Sequence, residues 1–287
     1  MTERPAKERA DELLAAMRFD EKVALALHDF DAVARLDIPP LRYTDGRLIA
    51  AVAAANPRTV VVLNTGGPVL MPWLDQVGAV VQAWHPGQQF GAAVAAVLFG
   101  DADPGGRLPV TFPATPGQGP ITGPERYPGV GGDARYDEGV LVGYRWYDRH
   151  GQQPLFPFGH GLSYGEYEYG QPRIEQDEAT GAVTVSLQVT NVGARAGAEV
   201  VQVYLAAPPA ARQPARQLKG FAKVHLGPGA TGAVALRLDR DELAAFDEGS
   251  GEWIVHQGRY QVLVGRSSRD LRARAEFEVA ATTPVRS

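Results

Sequence analysis

The sequence NPRTVVVLNTGGPVLMPWLDQVGAVVQAWHPGQQFGAAVAAVLFGDADPGGRLPVTFP, residues 56–113, decides the fold of this 287-residue chain. Residues 60–63 are a continuous apolar run, which predicts a strand buried on both faces of a parallel sheet. Residues 78–84 predict a second strand, and residues 90–98 predict a helix whose apolar positions follow the spacing of a buried face. Two strands joined by a crossover predict a parallel α/β layer with helices on its faces.

The pattern changes after residue 170 to short strands with a period of two residues. Val183, Val185, Leu187 and Val189 alternate with polar residues, as expected for a half-buried strand. Further strands are predicted at residues 199–205, 217–226, 232–238, 259–265 and 271–279. Short strands separated by turns at a spacing of about 8–12 residues indicate a β-sandwich.

The composition excludes several classes of function. The formal net charge of -5 disfavours nucleic acid and anionic membranes as partners, and no apolar run is long enough for a spanning helix. The chain has no cysteine, which excludes disulfides, thiolate catalysis and cysteine-based zinc sites. We expect no cofactor and no metal site. The charged start MTERPAKERADELL does not resemble a signal peptide, so we expect a cytoplasmic protein.

Five stretches resemble glycoside hydrolase family 3, the β-glucosidase-like enzymes. TVVVLNTGGPVLMPW at residues 59–73, LFGDADPGGRLPVTFP at residues 98–113 and PLFPFGHGLSY at residues 154–164 are similar to its second domain. VTNVGARAGAEVVQVYL at residues 189–205 and GRYQVLVGRSS at residues 258–268 are similar to its closing fibronectin type III-like domain. The resemblance implies a truncated parallel α/β sandwich layer followed by an immunoglobulin-like β-sandwich.

The resemblance also implies a domain organisation with an internal loss. Residues 1–46 resemble a remnant of the barrel entrance, residues 47–165 a partial α/β domain, and residues 171–287 the fibronectin type III-like domain. In the family, most of a (β/α)8 barrel lies between the segments that meet here at Gly46 and Arg47. The missing region carries the aspartate nucleophile and, in most members, the acid/base glutamate.

Two functions are compatible with that organisation. The first is hydrolysis of O-glycosyl bonds in small β-glycosides, as part of carbohydrate metabolism, with negligible activity of the lone chain. The second is a non-catalytic truncated pseudoenzyme that acts as a carbohydrate-binding or interaction module. Loss of neighbouring strands leaves an open sheet edge and an apolar face, so we expect self-association or a covering partner.

Catalytic candidates come from the Gly- and Pro-rich region after residue 113. Retaining glycoside hydrolysis needs two carboxylates about 5 Å apart. Acidic residues in this region are Glu125, Asp133, Asp137 and Glu138. Glu138 is the weak catalytic candidate, because Tyr136 and Tyr144 flank it and aromatic faces raise a carboxyl pKa by desolvation. Residues 136–147 themselves predict a short strand with an aromatic end.

Other candidate residues carry open alternatives. Asp45 matches a family aspartate that contacts sugar hydroxyls, but a lone Asp-Gly pair is more often a turn. His85 lies at a strand end, where ligands bind parallel sheets, or is hydrogen-bonded in a turn. His160 is expected to fix a Gly-His-Gly turn. Aromatic residues suited either to sugar stacking or to packing are Trp73, Trp84, Trp146, Tyr136, Tyr144 and Tyr147.

Overall fold

The computed structural model describes residues 46–285, apart from the side chain of Arg47. The chain divides into two compact units, with the division between Leu98 and Phe99. Residues 1–45, which include most of the predicted barrel remnant and Asp45, lie outside the described residues. In the described part, none of the helices combines the length and the apolar character needed to span a bilayer.

The first unit contains the predicted βαβ-like layer. Its elements are α1 (Gly46–Ala55), β1 (Val60–Leu63), a 3-10 turn (Leu74–Gln76), β2 (Ala79–Gln82) and α2 (Phe90–Phe99), which ends at the first residue of the second unit. β1 and β2 pair in parallel, with Val60 opposite Ala79 and Leu63 opposite Gln82. The predicted parallel sheet is therefore confirmed.

The burial predicted for this layer is wrong. Val60 is 43% exposed, and none of the ten residues of α2 is buried, although the helix contains only Phe, Gly, Ala, Val and Leu. A helix that is apolar all round normally lies inside a protein. Among residues 46–285 this sheet has two strands, and no further described strand pairs with either of them.

The region from Phe99 to Tyr164 is mostly irregular and contains α3 (Tyr144–Arg149). The strand predicted for residues 136–147 is wrong. Gly139 and Gly143 both have positive φ angles and interrupt an extended backbone. Tyr144 and Tyr147 are three residues apart, so a helix places both on one face, and both are buried.

The rest of the second unit is the predicted β-sandwich. A short helix, α4 (Arg240–Leu243), precedes a small three-stranded sheet formed by β9 (Ala245–Asp247), β10 (Glu252–Val255) and β13 (Thr283–Pro284). The strands are β3 (Tyr167–Tyr169), β4 (Arg173–Gln176), β5 (Val183–Asn191), β6 (Gly197–Ala206), β7 (Gln217–Leu226), β8 (Thr231–Leu238), β9 (Ala245–Asp247), β10 (Glu252–Val255), β11 (Gly258–Gly265), β12 (Leu271–Val279) and β13 (Thr283–Pro284).

Two antiparallel sheets form the sandwich. One has the order β12-β11-β6-β7, and in the other β5 pairs with β8 on one edge and with β3 and β4 on the opposite edge. β5 alternates between buried and more exposed residues along its length, as its sequence predicts. The core between the sheets is built from Val, Leu and aromatic side chains, with Tyr260 and Val262 fully buried.

β6 differs from the other strands because both of its faces are covered. Val201 and Val203 belong to the core between the sheets. Gln202 and Tyr204, on the alternate positions, are buried by the region of residues 99–164. The Gln202 Nε2 donates to the Gly159 carbonyl over 3.0 Å. The region before the sandwich is therefore packed onto it within one compact unit.

Candidate functional site

A pocket with a mixed polar and apolar lining lies at the carboxyl ends of β1 and β2 in the first unit. Its volume is about 330 Å³. The strands deliver to it a turn that begins at Asn64 and the side chain of His85. Its lining residues are Asn64, Thr65, Gly66, Gly67, Pro68, Val69 and His85. Ligands of open parallel sheets bind outside the carboxyl ends of the strands, so this is the expected position for a binding site.

Gln82, the last residue of β2, fixes the turn. Its Nε2 donates to the carbonyl oxygen and to the Oγ1 of Thr65, each over 3.2 Å. The Thr65 hydroxyl donates in turn to the Gly67 carbonyl over 3.0 Å. These three bonds hold the Thr65-Gly66-Gly67 backbone against the neighbouring strand, so the pocket wall is preorganised.

His85 closes the other side of the pocket. Trp84, which precedes it, has a φ of 56°, a conformation that costs a non-glycine residue about 1–3 kcal/mol. A Cβ atom at Gly66 would lie 2.5 Å from the His85 Nε2. An alanine at position 66 would therefore require the exposed imidazole to shift from the place that it occupies beside the turn.

The polar groups of the pocket remain open to a ligand. Within residues 46–285, the structure gives the Asn64 side chain and the His85 imidazole no hydrogen bond, and His85 is exposed. The interpretation of His85 as a histidine held in a turn thus has no hydrogen bond to support it. The lining includes no Lys, Arg, Asp or Glu.

The acidic candidates lie in the second unit, and one of them, Asp137, forms an ion pair with Arg126. The Arg126 Nε donates to the Asp137 Oδ1 over 2.7 Å, and its Nη1 donates to the Pro120 carbonyl. The hydrogen bond from Arg126 lowers the pKa of Asp137 below its ordinary value. Asp137 therefore stays ionised and is unsuited to donating a proton.

Glu138 follows directly and is half-buried. Tyr136 is 83% exposed, and the Tyr144 ring stacks on Phe158 with centroids 4.9 Å apart. The Tyr144 hydroxyl accepts a hydrogen bond from the Leu218 N–H. The two tyrosines therefore face different surroundings, and the expected aromatic enclosure of Glu138 finds no support. Its catalytic role stays a prediction, while Glu125 and Asp133 are exposed.

The remaining candidates are largely occupied in packing. The His160 ring stacks on Phe156 with centroids 5.0 Å apart, and burial together with nearby Arg107 lowers its pKa. The His160 carbonyl accepts a hydrogen bond from the Leu108 N–H, and its predicted role in fixing the turn stays a prediction. Trp73 and Tyr147 are buried. Trp146 stacks on His150, and the Arg126 guanidinium lies 5.4 Å from its ring centroid.

The described part of the chain contains no cluster of side chains that could bind a metal ion. Over residues 46–285, no group of three or more His, Asp or Glu side chains is placed to hold an ion.

Gln82 and Gly66 are site residues that the sequence did not predict. The strand pattern places Gln82 on β2, but its contact with Thr65 spans 17 residues and is fixed only when the strands pair.

Two family models match the chain. The model described as glycosyl hydrolase family 3 C-terminal domain matches residues 7–164, and the one described as fibronectin type III-like domain matches residues 199–268. The first match includes residues that the sequence assigns to a barrel remnant, and that assignment stays a prediction. The match ends at residue 164, whereas the compact units divide after Leu98.

Similar proteins are β-glucosidases. A β-glucosidase of Rhizobium radiobacter is 47% identical over 244 residues, which cover 83% of this chain and 30% of the relative. The thermostable β-glucosidase B of Acetivibrio thermocellus is 42% identical over 243 residues, covering 84% and 32% respectively. The crystal structure of DesR, a β-glucosidase from Streptomyces venezuelae in complex with D-glucose, has a TM-score of 0.79 at 45% identity. The match covers 82% of this chain and 30% of the DesR chain.

The chain spans about 30% of the length of these relatives. Its two matched regions follow one another in the order of the α/β layer and the β-sandwich, and the fold class predicted from the sequence is confirmed. The chain belongs to glycosyl hydrolase family 3, with its C-terminal domain followed by a fibronectin type III-like domain.

Proposed function

We propose that the chain is a β-glucosidase-like glycoside hydrolase by descent that does not cleave β-glycosides by itself. The observation that carries the proposal is coverage: the similarity takes in 83% of this chain but only 30% of a β-glucosidase relative. The segments that meet at Gly46 and Arg47 leave no room for a barrel between them. The family nucleophile belongs to that barrel.

The chemistry of the described acids supports the proposal. Retaining hydrolysis requires a nucleophilic carboxylate and a second carboxyl group that donates a proton, at about 5 Å separation. Asp137 is ion-paired to Arg126 and its pKa is lowered, which is opposite to the raised pKa of a proton donor. Of the two tyrosines expected to enclose Glu138, Tyr136 is 83% exposed and Tyr144 stacks on Phe158.

The experiment is an assay of nitrophenol release from an aryl β-glucoside by the purified chain. We expect no release above buffer, and no difference between the wild type and Glu138→Gln. Glu125→Gln, at an exposed carboxylate of the same region, is the matched control. Turnover by the wild type that Glu138→Gln abolishes and Glu125→Gln preserves would overturn the proposal.

The second candidate is a non-catalytic module that binds sugar or a protein surface. The preorganised pocket at residues 64–69 and His85 favours the first role. An apolar groove of about 530 Å³ beside α2, lined by Val81, Phe90 and Val94 among others, favours the second. Chemical-shift changes on addition of sugar, in a chain that shows no turnover, would distinguish this candidate from an active hydrolase.

A further inference from the structure

We propose that the pocket formed by residues 64–69 and His85 binds a neutral polyhydroxylated ligand, such as a single sugar ring, through the turn backbone and the His85 imidazole. The inference rests on the proposed function for the choice of a sugar among polyols. It goes further by assigning a binding site, with its residues, to the α/β layer of this chain itself.

The donors and acceptors around the pocket support this ligand class. The described structure gives no protein partner to the N–H groups of Gly66 and Gly67, which line the pocket. The Asn64 amide supplies a donor and an acceptor, and the His85 ring supplies one of each when neutral. A hydroxyl group also donates and accepts, so a ligand with several hydroxyls satisfies such a mixed set.

The charge of the lining argues against a phosphate or carboxylate ligand. None of the lining residues is Lys, Arg, Asp or Glu. Phosphate-binding turns that resemble this one add a lysine to their glycine-rich backbone, and no Gly-Lys pair follows Gly67. The volume of about 330 Å³ lies at the lower end of the range for small-molecule pockets, which fits one ring rather than a chain.

The geometry is rigid enough for selective binding. Gln82 holds Thr65 through two hydrogen bonds, which directs the N–H groups of the next two residues. Binding to a preformed wall avoids the free-energy cost of ordering a loop. Gln82 is therefore a positioning residue, and Gly66 keeps the space that the imidazole of His85 needs.

The test is a titration of the full chain with D-glucose, followed by ¹H–¹⁵N chemical shifts, with inorganic phosphate as a parallel probe. We expect saturable shifts of the Gly66 and Gly67 amides with glucose and none with phosphate. Gly66→Ala places a Cβ 2.5 Å from His85 Nε2 and should weaken binding about tenfold. Position 66 has no positive φ, so alanine fits the backbone.

The matched control is Gly87→Ala, because Gly87 lies two residues beyond His85 and outside the pocket lining. A Cβ added at Gly87 meets no atom within 4 Å. It should bind glucose as the wild type does. His85→Ala serves as a second variant and should also weaken binding, whether or not Gly66→Ala folds.

Three results would overturn the inference: no shift at residues 66 and 67 with glucose, shifts there with phosphate alone, or equal binding by wild type and His85→Ala. These outcomes are separate from the aryl β-glucoside assay. A chain that releases nitrophenol without shifts at the turn contradicts both this site and the proposed lack of activity. A chain that binds glucose at the turn without turnover supports both.

Discussion

The Nη2 of Arg107 donates to the Oε1 of Glu199 over 2.6 Å, across 92 residues of sequence. Glu199 is fully buried, and Arg266 approaches its other carboxylate oxygen to 2.9 Å. Arg107 belongs to the region that resembles the α/β domain, and the other two residues belong to the sandwich. This buried triad therefore ties the first matched region to the second.

Removal of the shared carboxylate should be costly. Glu199→Ala leaves two arginines near each other and uncompensated, with an expected loss of about 3–5 kcal/mol in the free energy of unfolding. Glu278→Ala breaks an ion pair with Arg259, and the two side chains are exposed, Arg259 by 69% and Glu278 by 64%. This change should lower the free energy of unfolding by less than about 1 kcal/mol. Urea denaturation of both variants measures the difference, and equal losses would contradict a stabilising triad.

Gly159 should tolerate no side chain, because of its contact with β6. An added Cβ would lie 2.1 Å from the Gln202 Oε1, and the φ of Gly159 is +81°. Gly151→Ala is the control, since its φ is also positive at +61° but nothing lies within 4 Å. In both variants, we expect the left-handed backbone conformation to lower the free energy of unfolding by about 1 kcal/mol. Gly159→Ala should lose roughly 1–3 kcal/mol more, from the disrupted Gln202 bonds.

Thermal and urea unfolding of the two alanine variants check this expectation. A Gly159→Ala protein as stable as Gly151→Ala would show that Gln202 has room to move. Rescue by a second change, Gln202→Ala, would confirm that the two side chains compete for one space, although it removes the hydrogen bond to the Gly159 carbonyl.

Asp103 should make stability depend on acidic pH. Burial opposes its charged form, but hydrogen bonds outweigh burial and lower the pKa of the carboxyl. The donors are the Ala198 N–H, the Ser163 hydroxyl and the Tyr164 N–H. The unfolded pKa is about 3.9, so the stabilisation is complete well above that pH and is lost as pH falls through the lower folded value.

The measurement is the urea midpoint of wild type and Asp103→Asn between neutral pH and about pH 2.5. The variant should be less stable at neutral pH, and the two proteins should converge as the acid range is crossed. Asp101→Asn, at a neighbouring exposed aspartate, should follow the wild-type profile. Parallel profiles of wild type and Asp103→Asn would contradict a lowered pKa.

The compact unit that begins at Phe99 predicts which fragments fold. A fragment of residues 99–287 keeps the contact of Tyr144 with Tyr204 and the triad around Glu199. A fragment of residues 171–287, the boundary predicted from sequence, exposes Tyr204 and removes Arg107. The longer fragment should unfold in one cooperative transition, and the shorter one should bind the dye ANS. Equal cooperativity of both would favour the sequence boundary.

We propose the apolar groove beside α2 as the surface for the self-association expected from the sequence. Light scattering at rising protein concentration should show a mass above 30.7 kDa for the wild type. Val94→Glu places a charge in the groove lining and should restore the monomer mass. Ala95→Glu, on the next, exposed position outside the lining, is the matched control. A monomeric wild type at high concentration would remove the proposal.

The candidate site was only partly predictable. His85 followed from the position of a residue at the end of a predicted strand, because parallel strands present their carboxyl ends at one edge. Gly66 and Gln82 gave no such signal, since their roles depend on a neighbour across the sheet. The acidic candidates follow from residue type, with Glu138 singled out by its flanking tyrosines, and neither signal predicts the ion pair of Asp137 with Arg126 in a non-periodic loop.

The sequence by itself determined the elements: the apolar run of β1, its parallel pairing with β2, and the alternating strands of the sandwich. These follow from short-range periodicity, which local side chains express before any packing. Only the tertiary structure decided that residues 99–164 join the sandwich, that aromatic residues near Tyr144 form a helix, and that Gly66 meets His85. Such contacts join segments distant in sequence, and the burial that selects them exists only after the chain has folded.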